Sequence, residues 1–328
     1  MDEKIKISLP KSVLDTLQSD CKNFNVTKAD GTPNFNAFVN TLIANYYEDF
    51  SASEESLYDD VKSILEPIPD RYKQETFSKI VRIISKRDVA VVGNGSTTFS
   101  FKPNKTSEKA VTLIKNVILA DESLSSFYRR MFVSYASKTQ PQREIIVFRR
   151  NYEILQKAMK KGVQAYIDGK NDRFTASSIY GVFSAKEELY NYVLSTDGRS
   201  LFTIRLANVK DVSLSTKPAS IPDDVKKIFD RQIRCGVQYQ IFKGEEELIK
   251  VRFTDKGLYL FKKIYLYRPT PIKTEGNDYY FDCSTNQAIH YFKRLGYDAV
   301  ITEPAFVAEM MKTFYSRAAR KYNDVLKK

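Results

Sequence analysis

The sequence contains no tryptophan, a single histidine and only three cysteines among its 328 residues. Because Cys21, Cys235 and Cys283 form no CxxC or CxxH pair, the sequence predicts neither a disulfide framework nor a structural zinc site. His290 alone does not supply the paired histidines of many nucleases, and no Ser/His/Asp set surrounds it by spacing. Phosphate-loop and HExxH motifs are also missing. We therefore expect a protein that is not an enzyme and that holds no metal and no cofactor.

Long apolar runs are absent as well. No stretch approaches the roughly 18 apolar residues that a bilayer-spanning helix needs. The chain opens with Asp2 and Glu3, which differs from the basic start of a signal peptide. We therefore expect a cytoplasmic protein that makes no contact with a membrane.

The chain has an excess of positive charge and is rich in tyrosine. Its 52 Lys and Arg residues exceed its 40 Asp and Glu residues, which gives a formal net charge of +12 at pH 7. It also has 21 tyrosines and 21 phenylalanines. A basic chain favours polyanionic partners, and a tyrosine ring can stack on a base at a wet surface. The composition thus favours nucleic acid as the partner.

The first 50 residues predict one strand followed by two helices. Residues 4–9 alternate between polar and apolar side chains, and Pro10 then suits the first turn of a helix. Apolar residues follow at helical spacing over 13–21 and again over 35–47. Since a lone strand needs a partner for its backbone groups, this pattern predicts pairing with a second chain. The order resembles the ribbon-helix-helix family, whose two chains pair their strands into a ribbon.

In that family the outward side chains of the strand enter the major groove of DNA. The resemblance assigns this role to Lys4, Lys6 and Ser8. Residues 1–50 nevertheless hold five lysines, no arginine and seven acidic residues, a local balance of −2. Phosphate neutralisation supplies much of the affinity for duplex DNA. Two interpretations therefore stay open: the head binds duplex DNA, or it serves only as a dimerisation device.

Residues 51–155 are mainly helical in pattern, and the pattern changes to strands from Val163 onward. Alternation with a period of two predicts five short strands, at 163–168, 174–183, 189–195, 201–206 and 209–214. Five short strands within about 50 residues, joined by tight turns, are typical of a small barrel.

Two consecutive strands of this set carry a motif. One reads Tyr-Asn-Tyr-Val-Leu, and the next reads Phe-Thr-Ile-Arg-Leu. The pair resembles the WYL domain, in which a Trp-Tyr-Leu strand precedes a turn and a strand of the type Phe-Arg-Leu. Asn191 stands where the family has Trp, and Val193 stands where it has Leu. Tyr192 and Arg205 match the tyrosine and the arginine of the family.

The C-terminal segment adds to this resemblance. After a helix that ends near Gly296, the chain reads Tyr-Asp-Ala-Val-Ile-Thr-Glu-Pro over 297–304 and continues into a long helix. This resembles the Gly-x-Asp-Ala-x-Val-x-Glu-Pro pattern of the extension that follows WYL barrels. Within the helix over 287–295, the apolar spacing places His290 at the surface.

The WYL resemblance implies a small Sm-like barrel with a basic, tyrosine-bearing pocket for nucleic acid or nucleotide ligands. An arginine can pair with a phosphate or stack on a base, and a tyrosine can stack on a base and donate a hydrogen bond. The candidate nucleic-acid-binding residues of the barrel are Tyr166, Lys170, Arg173, Ser178, Tyr192, Arg199 and Arg205.

The predicted fold class is α+β with four parts. These are a ribbon-helix-helix head (1–50), a mainly helical region (51–155), a small Sm/SH3-like WYL β-barrel (156–218) and an α/β C-terminal dimerisation subdomain (222–328). One side of the long C-terminal helix is the expected second dimer contact, and it carries Phe306, Met310, Met311 and Phe314.

A ribbon-helix-helix head before a WYL barrel resembles the WYL-domain accessory proteins of type VI-D CRISPR systems. That resemblance implies a homodimer that binds single-stranded RNA and stimulates a CRISPR effector RNase in antiviral defense. The alternative is a ligand-sensing transcription regulator whose head binds operator DNA. A third interpretation is a protein-interaction adaptor whose basic faces meet an acidic partner.

Overall fold

The computed structural model describes residues 4–90, 96–119, 123–169, 175–245 and 247–326. The chain folds as two compact units, and α+β architecture is confirmed in both. The first unit is Met1–Glu153 with Leu206–Asn208, and the second is Ile154–Arg205 with Val209–Lys328. No helix in the described part of the chain combines the length and the apolar character that crossing a membrane requires.

The first unit is mainly helical, as the sequence predicts. Its elements are β1 (Ile5–Pro10), α1 (Lys11–Asn23), α2 (Phe35–Ile64), α3 (Asp70–Ala90), β2 (Ser96–Phe101), α4 (Glu108–Leu113), which a π-helical turn continues over Ile114–Ile118, α5 (Leu124–Ser137), α6 (Gln140–Val147) and the start of α7 (Arg149–Lys161).

The strand β1 pairs with β2 of the same chain. The two strands are antiparallel, with Ile5 opposite Phe101 and Pro10 opposite Ser96. Ile7 and Leu9 are buried on one face of this two-stranded sheet, which satisfies the alternation seen in the sequence. The partner strand is therefore supplied by the same chain rather than by a second chain, which corrects the expectation drawn from the first 50 residues.

Helix α2 is continuous over 30 residues. Its N-terminus is capped by the Asn34 side chain, which accepts a hydrogen bond from the backbone N–H of Ala37 at 3.1 Å. Buried apolar residues recur along it from Phe38 to Val61. Residue 50 lies inside this helix, so the boundary predicted there between a head and a helical region falls within one unbroken element.

A buried ion pair joins α1 to α6 in the first unit. The Arg143 guanidinium donates from Nε to Asp20 Oδ2 at 2.6 Å and from Nη2 to Asp20 Oδ1 at 3.1 Å. The Tyr135 hydroxyl donates to the same carboxylate at 2.9 Å. Burial, followed by the charge of Asp20, raises the pKa of Tyr135 far above its usual value. Paired donors of this kind make a buried carboxylate tolerable.

The second unit opens with a five-stranded antiparallel sheet of order β6-β5-β4-β3-β7. All five strands expected from the alternation are present, and closure of the sheet into an Sm/SH3-like barrel stays a prediction. Its elements are β3 (Val163–Gly169), β4 (Thr175–Ser184), β5 (Asn191–Thr196), β6 (Leu201–Arg205) and β7 (Val209–Pro218). The 3₁₀ turn at Leu206–Asn208, which connects β6 to β7 in the chain, belongs to the first unit.

Helix α8 (Asp223–Cys235) packs against this sheet. Val225 and Phe229 of the helix share an apolar cluster with Leu194 and Leu201 of the sheet. Helix α8 therefore covers part of one face of the sheet.

The C-terminal part forms an antiparallel sheet of order β11-β8-β10-β9. Gly257 is required here, because a Cβ atom at that position would lie 1.9 Å from the carbonyl oxygen of Asp298. Helices lie against a core that includes Phe253 and Phe292. The elements are β8 (Ile249–Phe253), α9 (Asp255–Lys263), β9 (Pro271–Glu275), β10 (Asp278–Phe281), α10 (Thr285–Phe292), β11 (Ala299–Glu303) and α11 (Ala305–Leu326).

Candidate nucleic-acid interface

The β5–β6 hairpin brings the two motif residues together. Tyr192 lies directly opposite Arg205 in the antiparallel register. Residues that are directly opposite point to the same face of a sheet. Both side chains are half-buried. Tyr192 and Arg205 are thus neither enclosed in the interior nor placed on opposite faces.

Arg205 stacks on the ring of Tyr190. Its guanidinium carbon lies 3.2 Å from the centre of that ring. A planar guanidinium over an aromatic face combines stacking with attraction to the ring quadrupole. Tyr190 is half-buried and precedes β5 by one residue. The hairpin therefore presents a tyrosine and an arginine as one preformed stack.

The Tyr192 side chain is held in place at both ends by its neighbours. Its ring packs against the cluster that contains Leu194 and Phe229. Its hydroxyl donates a hydrogen bond to Glu188 Oε2. Core residues pack against the ring, and the hydrogen bond to Glu188 holds its hydroxyl. We therefore interpret Tyr192 as a support for the Tyr190–Arg205 stack rather than as an open ring face for a base.

The C-terminal part adds an aromatic residue and a cation beside this stack. The backbone N–H of Tyr267 donates to Glu187 Oε1 at 2.7 Å. The Arg294 guanidinium carbon lies 5.2 Å from the centre of the Tyr267 ring, and its Nη2 lies 2.8 Å from His290 Nε2. We call the following six residues the aromatic–arginine cluster: Tyr190, Tyr192, Arg205, Tyr267, His290 and Arg294.

Two residues of this neighbourhood have unusual backbone conformations. Leu189 has a φ of 59° and Tyr267 has a φ of 64°. Left-handed φ values are uncommon for residues other than glycine and are concentrated at functional sites. Leu189 directly precedes Tyr190 in the chain, and Tyr267 is itself a member of the cluster.

Two carboxylates, those of Glu187 and Glu188, adjoin the cluster. Burial raises the pKa of Glu187, and the charge of Glu188 adds to this effect, whereas the hydrogen bond from Tyr267 and the charge of Arg294 oppose it. Burial also lowers the pKa of His290, and the charges of Lys293 and Arg294 act in the same direction. At neutral pH His290 is therefore mostly neutral, and the fixed positive charges are those of Arg205 and Arg294.

The predicted barrel residues divide between the two ends of the sheet. Tyr192 and Arg205 form one pair of the hairpin, and Thr196 and Leu201 form the pair at its other end. Four residues of extended chain separate them, which is about 13 Å. Arg199 is exposed in the turn beyond that far end, so it does not join the aromatic–arginine cluster.

Tyr166 also belongs to the far end. It lies opposite Ala176 on β4, two residues before Ser178, which is itself opposite Thr196. Ser178 is 1% exposed, and its hydroxyl accepts a hydrogen bond from the Ser220 backbone N–H at 3.0 Å. Its side chain is thus a structural group in the interior rather than part of a binding surface.

Lys170 and Arg173 lie outside the described residues. Their predicted role in binding nucleic acid stays a prediction.

The polar residues of the ribbon lie on one side of the β1–β2 sheet. Lys4 and Lys6 are exposed, and Ser8 is half-buried. Lys6 is opposite Ser100 on β2. The backbone carbonyl of Ser8 accepts a hydrogen bond from Arg129 Nε at 2.8 Å. The ribbon thus has a small polar face, formed within one chain.

Sequence reasoning missed three members of the cluster and misplaced one. Tyr190 is the first residue of the Tyr-Asn-Tyr-Val-Leu segment, but its stacking with Arg205 depends on the hairpin geometry. Tyr267 and Arg294 come from distant segments and carry no local signal. His290 was expected at the surface, but it is half-buried, with its ring centre 5.2 Å from that of Tyr267. The reason is that α10 packs its edge against the segment around Tyr267.

Within the described parts of the chain, no group of three or more His, Cys, Asp and Glu side chains is arranged to hold a metal ion. The side chains of the aromatic–arginine cluster can stack, form hydrogen bonds and pair with charges.

Comparison with known proteins gives a likeness in structure only. No protein-family model matches the chain, and no curated protein matches it. The crystal structure of a CRISPR Cas-related protein superposes with a TM-score of 0.70 at 18% identity, and the match covers 99% of this chain and 95% of that one. Proteasome accessory factor B/C of Arthrobacter aurescens matches with a TM-score of 0.25 at 15% identity, covering 66% of this chain and 35% of that one. The first likeness shows that this chain shares the fold of the CRISPR Cas-related protein over nearly its whole length.

Proposed function

We propose that this chain is a non-catalytic accessory protein that binds single-stranded RNA through the aromatic–arginine cluster. The observation that carries the proposal is the stack of Arg205 on Tyr190, with the guanidinium carbon 3.2 Å from the ring centre. Single strands expose unpaired bases, which proteins recognise by stacking on aromatic rings and on arginine guanidinium planes. The cluster supplies both types of group within one unit of the fold.

Charge supports the choice of a polyanion. The net charge of the chain is +12, and Arg294 is exposed beside the Tyr267 ring. An arginine in this position can pair with a backbone phosphate while a base stacks nearby. Glu187 and Glu188 reduce the local positive charge, so we expect base stacking to contribute more to the affinity than phosphate pairing does.

The proposed setting is CRISPR defence, where the protein would stimulate a type VI-D RNA-guided RNase in the cytoplasm. The WYL-like motif around Tyr192 and Arg205 supports this setting. So does the fold shared with a protein described as CRISPR Cas-related. We further propose that the chain acts as a homodimer through the exposed side of α11.

The test is a competition for the purified full-length chain between single-stranded RNA and duplex DNA of the same sequence. Fluorescence anisotropy at two salt concentrations separates stacking from phosphate contacts, because each phosphate contact adds to the salt dependence. We expect the RNA to bind more tightly at both salt concentrations, with a shallow salt dependence. Tighter binding of duplex DNA with a steep salt dependence would refute the proposal.

The alternative function is transcription regulation, with the head binding operator DNA. The polar face of the β1–β2 ribbon favours it, because β-ribbons can enter the major groove and Lys6 is exposed on this ribbon. Lys6→Ala would then abolish binding of duplex DNA and leave RNA binding unchanged. Binding of neither nucleic acid, together with tight binding to an acidic partner protein, would favour the adaptor interpretation instead.

A further inference from the structure

The strand β9 of the second unit begins beside a basic cavity. The cavity has a volume of about 440 Å³ and lies between the end of β4, the C-terminal end of α8, the segment that precedes β9 and the start of α10. Thr270 and Ile272 are part of its wall, so the cavity adjoins the start of β9. The six residues of the aromatic–arginine cluster do not line it. The cavity is therefore separate from the proposed RNA-binding surface.

Three exposed cations line the cavity. They are Lys186, Arg234 and Arg268. Arg268 donates from Nη1 to the carbonyl oxygens of Phe261 and Lys262 at 3.2 and 3.1 Å, which holds its guanidinium in place. Arginine binds carboxylates strongly, because one guanidinium can donate to both oxygens of a carboxylate. The cavity therefore offers partners for the carboxylates of a ligand.

The two carboxylates in the wall of the cavity leave this positive charge largely in place. Asp282 Oδ1 accepts a hydrogen bond from Arg231 Nε at 2.6 Å, so its charge is balanced by an arginine that does not line the cavity. Glu187 Oε1 accepts a hydrogen bond from the Tyr267 backbone N–H at 2.7 Å. Three cations against one remaining acid give the cavity an excess of positive charge.

The strand β9 lies at the edge of its sheet. Within the described part of the chain it pairs with β10 alone. The hairpin turns through Gly276 and Asn277, with Glu275 opposite Asp278. In a hairpin with a two-residue turn this closing pair is hydrogen-bonded, and the pairs then alternate, so the backbone groups of Thr274 point away from β10. Outward backbone groups of this kind can pair with an added strand.

An apolar side chain of β9 is exposed at the cavity. Ile272 is 59% exposed, and it lines the cavity together with the half-buried side chains of Phe183 and Ile233. Covering such apolar surface is favourable. Because every second side chain of a strand points to the same face, an added strand can direct an acidic and an apolar side chain to the cavity from positions two residues apart. The surface thus fits an extended segment that carries both kinds of residue.

We propose that β9 and this cavity bind an extended acidic segment of a partner protein. The segment adds to the outer edge of β9 through backbone hydrogen bonds, and its side chains supply the specificity. Its carboxylates pair with Lys186, Arg234 and Arg268, and its apolar side chain contacts Ile272. This interaction goes beyond the RNA binding proposed above and does not depend on it.

The test is calorimetric titration of the full-length chain with synthetic peptides of the pattern Thr-Glu-Thr-X-Thr-Glu-Thr, in which X is Leu, Val, Phe or Tyr. The same peptides with Gln in place of Glu are the matched controls. We expect at least one acidic peptide to bind with a Kd below about 100 µM and its neutral counterpart to bind about tenfold more weakly. The absence of binding by every acidic peptide at about 1 mM would overturn the proposal. Equal binding of the neutral peptides would overturn it too, since the cations would then have no role.

Two variants locate the bound segment. Arg234→Ala removes a cation from the cavity, and Thr274→Pro removes an outward backbone donor from an exposed position of the edge strand, where proline is tolerated. Each should weaken binding of the acidic peptide about tenfold. Lys227→Ala is the matched control, because Lys227 is exposed on α8, as Arg234 is, and does not line the cavity. Unchanged affinity in Arg234→Ala would overturn the cavity as the site, and unchanged affinity in Thr274→Pro would overturn the addition of a strand.

Single-stranded RNA distinguishes this surface from the aromatic–arginine cluster. Arg205→Ala should weaken RNA binding and leave the affinity for the acidic peptide unchanged. If RNA displaces the peptide from the Arg205→Ala variant as well as from the wild-type chain, nucleic acid occupies the cavity and the proposal is overturned. If the wild-type chain binds the peptide but no RNA, the acidic segment is supported and only the RNA-binding function fails.

Discussion

Arg205 and Tyr190 form a stacked pair across the β5–β6 hairpin, with 3.2 Å between the guanidinium carbon and the ring centre. Arg205 matches the arginine of the WYL-like motif, whereas Tyr190 lies one residue before the position of the family's Trp. The register of the hairpin sets Arg205 opposite Tyr192, and the side chain then reaches across to the residue before the strand. This contact places an arginine and a tyrosine together at the surface of the hairpin, where they can stack with a ligand.

Removing either member of the stack should weaken RNA binding. Tyr190→Ala and Arg205→Ala should each reduce the affinity for single-stranded RNA by about 1–3 kcal/mol, because each deletes a stacking group. Anisotropy titration with a labelled oligonucleotide measures the change. Arg199→Ala is the matched control, since Arg199 is exposed at the far end of the same hairpin. An equal loss in the control variant would show that only total charge matters.

Tyr192 should affect stability more than it affects binding. Its ring packs in the cluster with Leu194 and Phe229, so Tyr192→Ala should lower the free energy of unfolding of its unit by about 1–3 kcal/mol. Tyr192→Phe removes only the hydrogen bond to Glu188 and should cost about 0.5–1.5 kcal/mol. Urea denaturation measures both changes. If Tyr192→Ala leaves stability intact but abolishes RNA binding, the tyrosine acts directly on the ligand.

RNA affinity should increase as the pH falls. Burial raises the pKa of Glu187, so this carboxylate becomes neutral at a higher pH than an ordinary glutamate. Protonation removes a negative charge beside Arg294 and favours a polyanion. Glu187→Gln should bind more tightly at pH 7.5 and show a flatter dependence down to pH 5. His290 acts in the same direction only at lower pH, because its own pKa is lowered. A wild-type profile with no slope would contradict this assignment.

The strands of the second unit were predictable because their signals are local. Alternation and tight turns predict β3 to β7, and all five form. The partner of β1 was not predictable in the same way, because β2 lies some 90 residues later and its run of Ser, Thr and Phe gives no information on register. Likewise, Tyr267 and Arg294 join Tyr190 only through tertiary packing. Burial of Ser178 depends on the segment at Ser220, which no pattern on β4 predicts.

The extent of α2 shows a different limit. A cluster of small and acidic residues after Phe50 looks like the start of a new helix, because such residues favour N-caps. In the chain they continue the existing helix instead. Tertiary packing of the apolar stripe outweighs this local preference. The helix therefore continues through the boundary predicted at residue 50.

The buried ion pair of the first unit should be important for stability. Asp20→Ala removes the acceptor of Arg143 and Tyr135 and leaves a half-enclosed guanidinium without its partner. We expect a loss of about 3–5 kcal/mol in the free energy of unfolding, as for other broken buried pairs. Thermal and urea denaturation measure it. Asp15→Ala is the control, because Asp15 is exposed on the same helix. Equal stability of the two variants would show that the pair contributes little.

The long helix α11 should mediate the proposed homodimer. Phe306, Met310 and Phe314 recur every four residues and are 47%, 47% and 43% exposed. Met311, expected in the same contact, is instead buried in the core of its own unit. A second copy of the chain would cover the exposed stripe, since an apolar face of this kind is costly to leave in water.

Met310→Glu and Phe314→Glu place charges in the middle of that stripe. Each should convert the dimer to a monomer in light scattering at micromolar concentration, while the melting temperature of the monomer is retained. Lys312→Glu serves as the control, because Lys312 lies on the other side of the helix and is exposed. If the wild-type chain is monomeric at every concentration, the homodimer proposal fails. If only Lys312→Glu dissociates the dimer, the two copies meet through the charged side of the helix rather than through its apolar stripe.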